Sequence, residues 1–139
     1  MLYYLSLGSN LGNREQTLHK AIESLEEQTG KVTRCSSFFY SEPWGFESEH
    51  GFCNLCCSVE TNMKPMEMLS ATQAVERSLG RTHKSVNGHY TDRVIDIDII
   101  RAFDEEGKEI ISNDSQLTIP HPLWREREFV TVPLQEILS

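Results

Sequence analysis

With 139 residues, 38% of them hydrophobic and 24% charged, the chain has the size and composition of a single globular domain spanning 1–139. A net charge of −8, from 13 basic and 21 acidic residues, argues against general binding to nucleic acid or an anionic membrane, because nothing offsets phosphate repulsion. No apolar run approaches the roughly 20 residues needed to span a bilayer, and Met1-Leu2-Tyr3-Tyr4-Leu5 lacks the basic region and cleavage site of a signal peptide, so a cytoplasmic protein is expected.

In chain order, Leu2 to Leu7 is apolar and aromatic and predicts a strand, ended by Gly8-Ser9-Asn10. Asn13 and Gln16 fit a capping box. Leu18, Ala21, Ile22 and Leu25 then give one apolar helical face, with Gly30 as the stop. Val32 to Tyr40 predicts a strand, 41–51 a loop, and Phe52 to Thr61 another strand. Pro65 opens a second helix that winds to Gly80. The stretch 81–92 is polar and reads as a loop, and Val94 to Ala102 is the clearest strand of all. Gly107 marks a hairpin, Leu117-Thr118-Ile119 is short and extended, and the remainder reads as one or two short helical turns. The order β-α-β-β-α-β predicts an α+β fold with a ferredoxin-like core, an antiparallel sheet with helices on one face, plus a short C-terminal extension.

Four cysteines are present: Cys35, Cys53, Cys56 and Cys57. With no export signal they are expected as reduced thiols. Cys53-x-x-Cys56 has no second ligand pair at zinc spacing, so these read as small apolar residues on a strand.

The chemistry is carried by Val94-Ile95-Asp96-Ile97-Asp98-Ile99-Ile100. Residues two apart on a strand share a face, so Asp96 and Asp98 stand together, their Cα atoms roughly 6.6–6.8 Å apart. Ile95, Ile97 and Ile99 take the core face. Paired carboxylates repel, and a divalent cation removes the conflict; oxygen-only ligands suit Mg²⁺, which takes one or two carboxylates plus substrate phosphates. Alone, the pair reads equally well as a solvated strand face. Arg81, His83, Lys84 and Arg93 before it, and His121, Arg125 and Arg127 after it, supply the cations that a polyphosphate–metal site needs. The same charges could also form a surface ion-pair network. Trp44 in the loop from Ser41 to Phe46, with Phe52, Asn54 and Phe129, could clamp a flat heterocycle and read its edge.

These residues also match a known family. Leu7-Gly8-Ser9-Asn10-Leu11-Gly12, Ser36-Ser37-Phe38, Phe52-Cys53-Asn54, Glu76-x4-Arg81, Arg93-x2-Asp96-Ile97-Asp98-Ile99, Leu117-Thr118-Ile119-Pro120-His121-Pro122 and Arg127-x-Phe129-x3-Pro133-Leu134 run nearly end to end. On them the chain resembles the 6-hydroxymethyl-7,8-dihydropterin pyrophosphokinases of folate biosynthesis. The resemblance implies transfer of pyrophosphate from ATP, as co-substrate, to the pterin hydroxymethyl group, giving AMP and the pterin diphosphate. It implies two Mg²⁺ ions on Asp96 and Asp98, and Arg81, Arg93, His121 and Arg127 on the phosphates, with Arg81, Arg93, Asp96 and Asp98 as the catalytic set. Leu69, Gln73, Ile99 and Thr118 would surround the nucleotide, with Glu76 beside them. Ser41, Pro43, Trp44, Phe52, Asn54, Asp96 and Phe129 would line the pterin pocket, Phe52 and Phe129 sandwiching the ring. Loops near 41–51 and 81–93 would close over ATP before pterin binds, and the protein would be a monomer or weak dimer. The Gly8-Ser9-Asn10 turn reads as mainly structural.

Departures from the family pattern are local. His83 stands where a second arginine is frequent, Tyr90-Thr91-Asp92 where Trp-Gly-Pro is frequent, Phe52 for a usual tyrosine and Glu42 for a common proline. Two rival readings are weaker. Nucleotidyltransferases place their paired acids shortly after a Gly-Ser turn, whereas here Asp96 lies far along the chain from Ser9. A non-catalytic ligand-sensing module has little reason to set paired acids beside an arginine cluster.

Overall fold

A computed structural model describes residues 1–41, 51–80 and 94–138. Helices and antiparallel sheet are mixed. β1 (Leu2–Ser9) is followed by α1 (Arg14–Gln28), β2 (Lys31–Cys35), β3 (Phe39–Ser41), β4 (Phe52–Glu60), α2 (Pro65–Ser78) and β5 (Asp96–Phe103). Two short paired strands, β6 (Ser112–Asn113) and β7 (Thr118–Ile119), a tight turn at Trp124–Glu126 and α3 (Glu128–Ile137) follow. The main sheet runs β2-β4-β1-β5, with β3 also on β4, and every pairing is antiparallel. Among the described residues no helix is long and apolar enough to cross a membrane.

Alternation along the strands sorts the core. Tyr3, Leu5 and Leu7 of β1, Cys53, Leu55, Cys57 and Val59 of β4, and Ile97 and Ile99 of β5 pack with Leu18, Ala21 and Leu25 of α1 and Met68 and Val75 of α2. The opposite face carries a smaller cluster, in which Cys56 and Ile100 meet Val130, Leu134 and Ile137 of α3. This corrects two expectations, helices on one face only and mere turns at the C-terminus. Val130, Leu134 and Ile137 recur at i, i+4 and i+7, an apolar stripe wide enough to cover the second face. Pro133 lies inside the helix, buried with this stripe. Removing the Leu134 side chain, buried to 1% exposure, is expected to cost about 2–5 kcal/mol in a denaturant titration of Leu134→Ala.

Other corrections have local causes. β1 runs on through Gly8 and Ser9, which lie in the sheet and not in a turn. The single strand expected over Val32 to Tyr40 is two, because Ser36-Ser37-Phe38 oppose only Leu55 and Cys56. The Ser36 hydroxyl accepts from the Cys56 N–H at 2.9 Å, and Ser37 donates its N–H and hydroxyl to Glu136, so serine side chains replace the ladder there. Asn13 caps α1 as read, its Oδ1 accepting from the Gln16 N–H at 3.1 Å. Gly30 is not a left-handed cap; a Cβ there would run into the Glu60 carbonyl and Thr61.

β5 carries a bulge. Leu5 faces Ile99 but Tyr4 faces Arg101, so Ile100 is the extra residue. Ile99 points into the first core, Ile100 into the second, and Ala102 returns to the first. Beyond the bulge, Arg101 grips Glu109 with two bonds, Nε to Oε2 at 2.9 Å and Nη2 to Oε1 at 3.1 Å, and lies over Phe103 and Trp124 at 5.0 and 5.6 Å. The bond to Arg101 holds the Glu109 carboxyl below its ordinary pKa. A depressed folded pKa adds stability above the unfolded value and loses it as pH falls through the folded one. Glu109→Gln should therefore melt earlier than wild type at neutral pH, by roughly 0.5–1 kcal/mol. Melts repeated at falling pH should show the gap closing below the usual carboxylate range.

Candidate active site

Three strands bring the polar motifs to one end of the α3 face. Asp96 on β5 stands opposite Gly8 on β1, and Gly8 stands opposite Asn54 on β4. One step along, Asp98 faces Ser6, and Ser6 faces Cys56. Asp96 and Asp98 are half-buried between buried Ile97 and Ile99, as the strand period requires. Asn54 is only 3% exposed, and its Nδ2 donates to the Ser41 hydroxyl at 2.9 Å and the Phe39 carbonyl at 3.3 Å. Gly8 is the floor between these walls. A Cβ on it would lie 2.7 Å from Asn54 Oδ1 and 3.4 Å from Phe52 Cδ1.

The chain after β7 brings cations to the same end. After a cis Ile119–Pro120 bond, the His121 N–H donates to the Ile100 carbonyl at 2.8 Å, tying this segment to β5. Burial and the Arg127 charge lower the His121 pKa while Asp96 raises it, so the three groups share one electrostatic neighbourhood. His121 Nδ1 accepts from the Leu123 N–H at 3.2 Å, which in the neutral ring leaves the proton on Nε2. The Arg127 guanidinium lies 5.7 Å from the centre of the Phe129 ring, and Phe129 packs against the α3-face cluster.

The remaining candidates lie toward α2 and the strand edge. Glu76, 8% exposed, accepts from the Ile97 N–H at 2.8 Å, so one carboxylate oxygen satisfies β5 backbone. Leu69 packs against the first core, Gln73 is half-buried and Thr118 is exposed. The Ile99 side chain, at 4% exposure, lies in that core on the face away from the carboxylates. Pro43, Trp44, Arg81 and Arg93, with the loop motions expected near 41–51 and 81–93, fall wholly or largely outside the described residues. Cys53 joins the first core and Cys56 the second, on opposite faces of β4, so these two thiols do not converge on one ion.

The family model for 7,8-dihydro-6-hydroxymethylpterin-pyrophosphokinase (HPPK) matches residues 4–139. The chain belongs to this family. It is 44% identical over 136 residues to the 2-amino-4-hydroxy-6-hydroxymethyldihydropteridine pyrophosphokinase of Porphyromonas gingivalis, covering 98% of this chain and 90% of that one. To the protein of the same name from Bacillus subtilis it is 38% identical over 135 residues, covering 96% and 76%. A crystal structure analysis of the HPPK-DHPS in complex with substrates superposes with a TM-score of 0.68 at 16% identity, a likeness of fold. The match covers 98% of this chain and 40% of that one. As an HPPK, the chain transfers pyrophosphate from ATP to 6-hydroxymethyl-7,8-dihydropterin, giving AMP and the pterin diphosphate in folate biosynthesis.

Among the described residues no group of three or more His, Cys, Asp and Glu side chains stands together as a metal cage. The donor set present is the carboxylate pair of Asp96 and Asp98, one oxygen-bearing side chain from each of two same-face positions. That set fits an ion which keeps waters and takes its other ligands from substrate phosphates, as Mg²⁺ does. Reading the sequence missed Gly8 as the floor and Ser6 beside Asp98. It also missed Arg14, whose Nη1 donates to the Gly51 carbonyl at 2.9 Å where β4's leading loop ends. The Gly8-Ser9-Asn10 motif was the available signal, but a glycine inside a strand looks like a turn until its neighbours are known.

Proposed function

We propose that the pterin lies over Gly8 between Phe52 and Phe129, with the Asn54 carboxamide reading its polar edge and Ser41 fixing that carboxamide. Pro43 and Trp44 complete the pocket. Asp96 and Asp98 would hold two Mg²⁺ ions, which would supply screening of the phosphate charge and a lower pKa for the hydroxymethyl group. His121, through its Nε2–H, and Arg127, Arg81 and Arg93 bind the phosphates and oppose the charge that builds on them during in-line attack on the β-phosphorus. Leu69, Gln73, Glu76, Ile99 and Thr118 flank the nucleotide. Positioning is the chain's main contribution, and no side chain is assigned as general base.

The observation that supports this reading is the cross-strand row Asn54–Gly8–Asp96, which sets a polar recognition group and a carboxylate on either side of a bare glycine. The strand order β2-β4-β1-β5, all antiparallel, supports a ferredoxin-like core. The working unit is the single domain 1–139, a cytoplasmic monomer or weak dimer. Incubation with ATP, reduced hydroxymethylpterin and Mg²⁺ should yield AMP and the diphosphorylated pterin, and excess chelator should stop it. Undiminished turnover in chelator would remove the metal role; release of free pyrophosphate instead of AMP would mean nucleotidyl transfer.

A further inference from the structure

We infer that Cys35 and Cys57 form an oxidation site, a thiol pair that a peroxide converts reversibly into a cross-strand disulfide between β2 and β4. The pairing geometry carries the inference. Cys35 stands directly opposite Cys57. The next residue, Ser36, donates its N–H to the Cys56 carbonyl at 2.8 Å, so Cys35 and Cys57 form a non-hydrogen-bonded pair of the ladder. In such pairs the Cα atoms lie about 4.5 Å apart and the side chains approach most closely. That separation lies within the range a disulfide spans.

Access and chemistry agree with this geometry. Cys35 is the one exposed thiol of the four, at the sheet edge, while Cys53, Cys56 and Cys57 are buried. Contact with the Cys57 thiol holds the Cys35 pKa below its ordinary value, against partial burial and the nearby Glu26 charge. Cys57 is pushed the other way by the same contact and by burial. The exposed sulfur is therefore the nucleophile and the buried one the resolving partner. Neither other cysteine can take that place. Cys56 points to the opposite face, toward the Val130 carbonyl, and burial raises its pKa to about 12. Cys53 lies further along β4, opposite Ser9 and Tyr40.

The step balances on one peroxide. The Cys35 thiolate attacks one peroxide oxygen, the O–O bond breaks, and the leaving hydroxide takes a proton to become water. This gives a sulfenic acid on Cys35. The Cys57 sulfur then attacks that sulfur; the S–S bond forms, the S–O bond breaks, and the departing hydroxide leaves as water with the Cys57 proton. Two thiols supply the two electrons that reduce one peroxide to two waters. No backbone rearrangement is needed, because the ladder already holds the two residues side by side.

The test treats the folded chain with hydrogen peroxide, blocks remaining thiols with N-ethylmaleimide in denaturant, and maps peptides before and after dithiothreitol. The expected result is loss of two of the four thiols, a mass lower by about 2 Da before alkylation, a linked Cys35–Cys57 peptide, and full reversal by dithiothreitol. Cys35→Ser should keep all its remaining thiols under the same exposure. Cys57→Ala, where it folds, should instead leave a sulfenic acid on Cys35 that dimedone traps. Recovery of wild-type Cys35 as sulfinic acid or as an intermolecular dimer, with Cys57 still alkylated, would overturn the inference without recourse to either variant.

Discussion

Asp98→Asn is expected to lower turnover about a thousandfold, on the order of 4 kcal/mol of transition-state stabilisation, with the thermal midpoint close to wild type. Asparagine keeps the shape and hydrogen-bonding oxygen of aspartate but not its charge. The position is half-buried on a strand whose two neighbours are locked in the core, so the backbone has no reason to move. What changes is the donor set for a hard cation, from two carboxylates to one. The loss should be seen in kcat at saturating ATP and pterin, and the Mg²⁺ concentration needed for residual activity should rise. A variant turning over near the wild-type rate at ordinary Mg²⁺ would show that Asp98 is only a solvated strand residue.

Gly8→Ala should raise the KM for pterin at least tenfold, about 1.4 kcal/mol, with little effect on ATP binding. The added methyl would lie 2.7 Å from Asn54 Oδ1, closer than carbon and oxygen tolerate. Asn54 has no easy retreat, because its Nδ2 is held by the Ser41 hydroxyl and the Phe39 carbonyl. Either that pair of bonds breaks or the carboxamide shifts off the floor, and both alter the group proposed to read the pterin. Overpacking of this kind also costs roughly 1–3 kcal/mol of stability, so binding is to be measured well below the melting range. A double-mutant cycle with Asn54→Ala isolates the mechanism. If Gly8 acts through Asn54, the double variant is little worse than Asn54→Ala alone; fully additive losses would place the effect elsewhere.

Much of this was legible because strand alternation is a strict code. Asp96 and Asp98 share a face wherever β5 sits, and Leu18, Ala21 and Leu25 share a helix face in the same way. What sequence could not supply were facts of approach. Gly8 is a floor only because Asn54 and Asp96 are its neighbours on two other strands, residues distant in the chain. The break between β2 and β3 depends on serine hydroxyls that reach Cys56 and Glu136. α3 was under-read because the purpose of its apolar stripe appears only with the second face of the sheet that it covers. For Arg81 and Arg93 the sequence remains the whole argument.

The bulge at Ile100 sets a rule for which changes of length this chain can absorb. Up to Ile99 the strand keeps one phase, acids outward on the α3 side; after Ile100 the phase is inverted, and that inversion lets Ala102 re-enter the first core while Arg101 reaches Glu109. Excising the single residue Ile100 would restore a regular ladder with the carboxylates and Ala102 on their present sides, at the loss of one buried side chain from the second core, whereas excising Ile97 would turn Asp96 to the wrong side. The turn at 105–108, exposed throughout, carries no such parity. Natural gains and losses of residues in descendants of this sequence should accumulate there and spare the eight residues of β5.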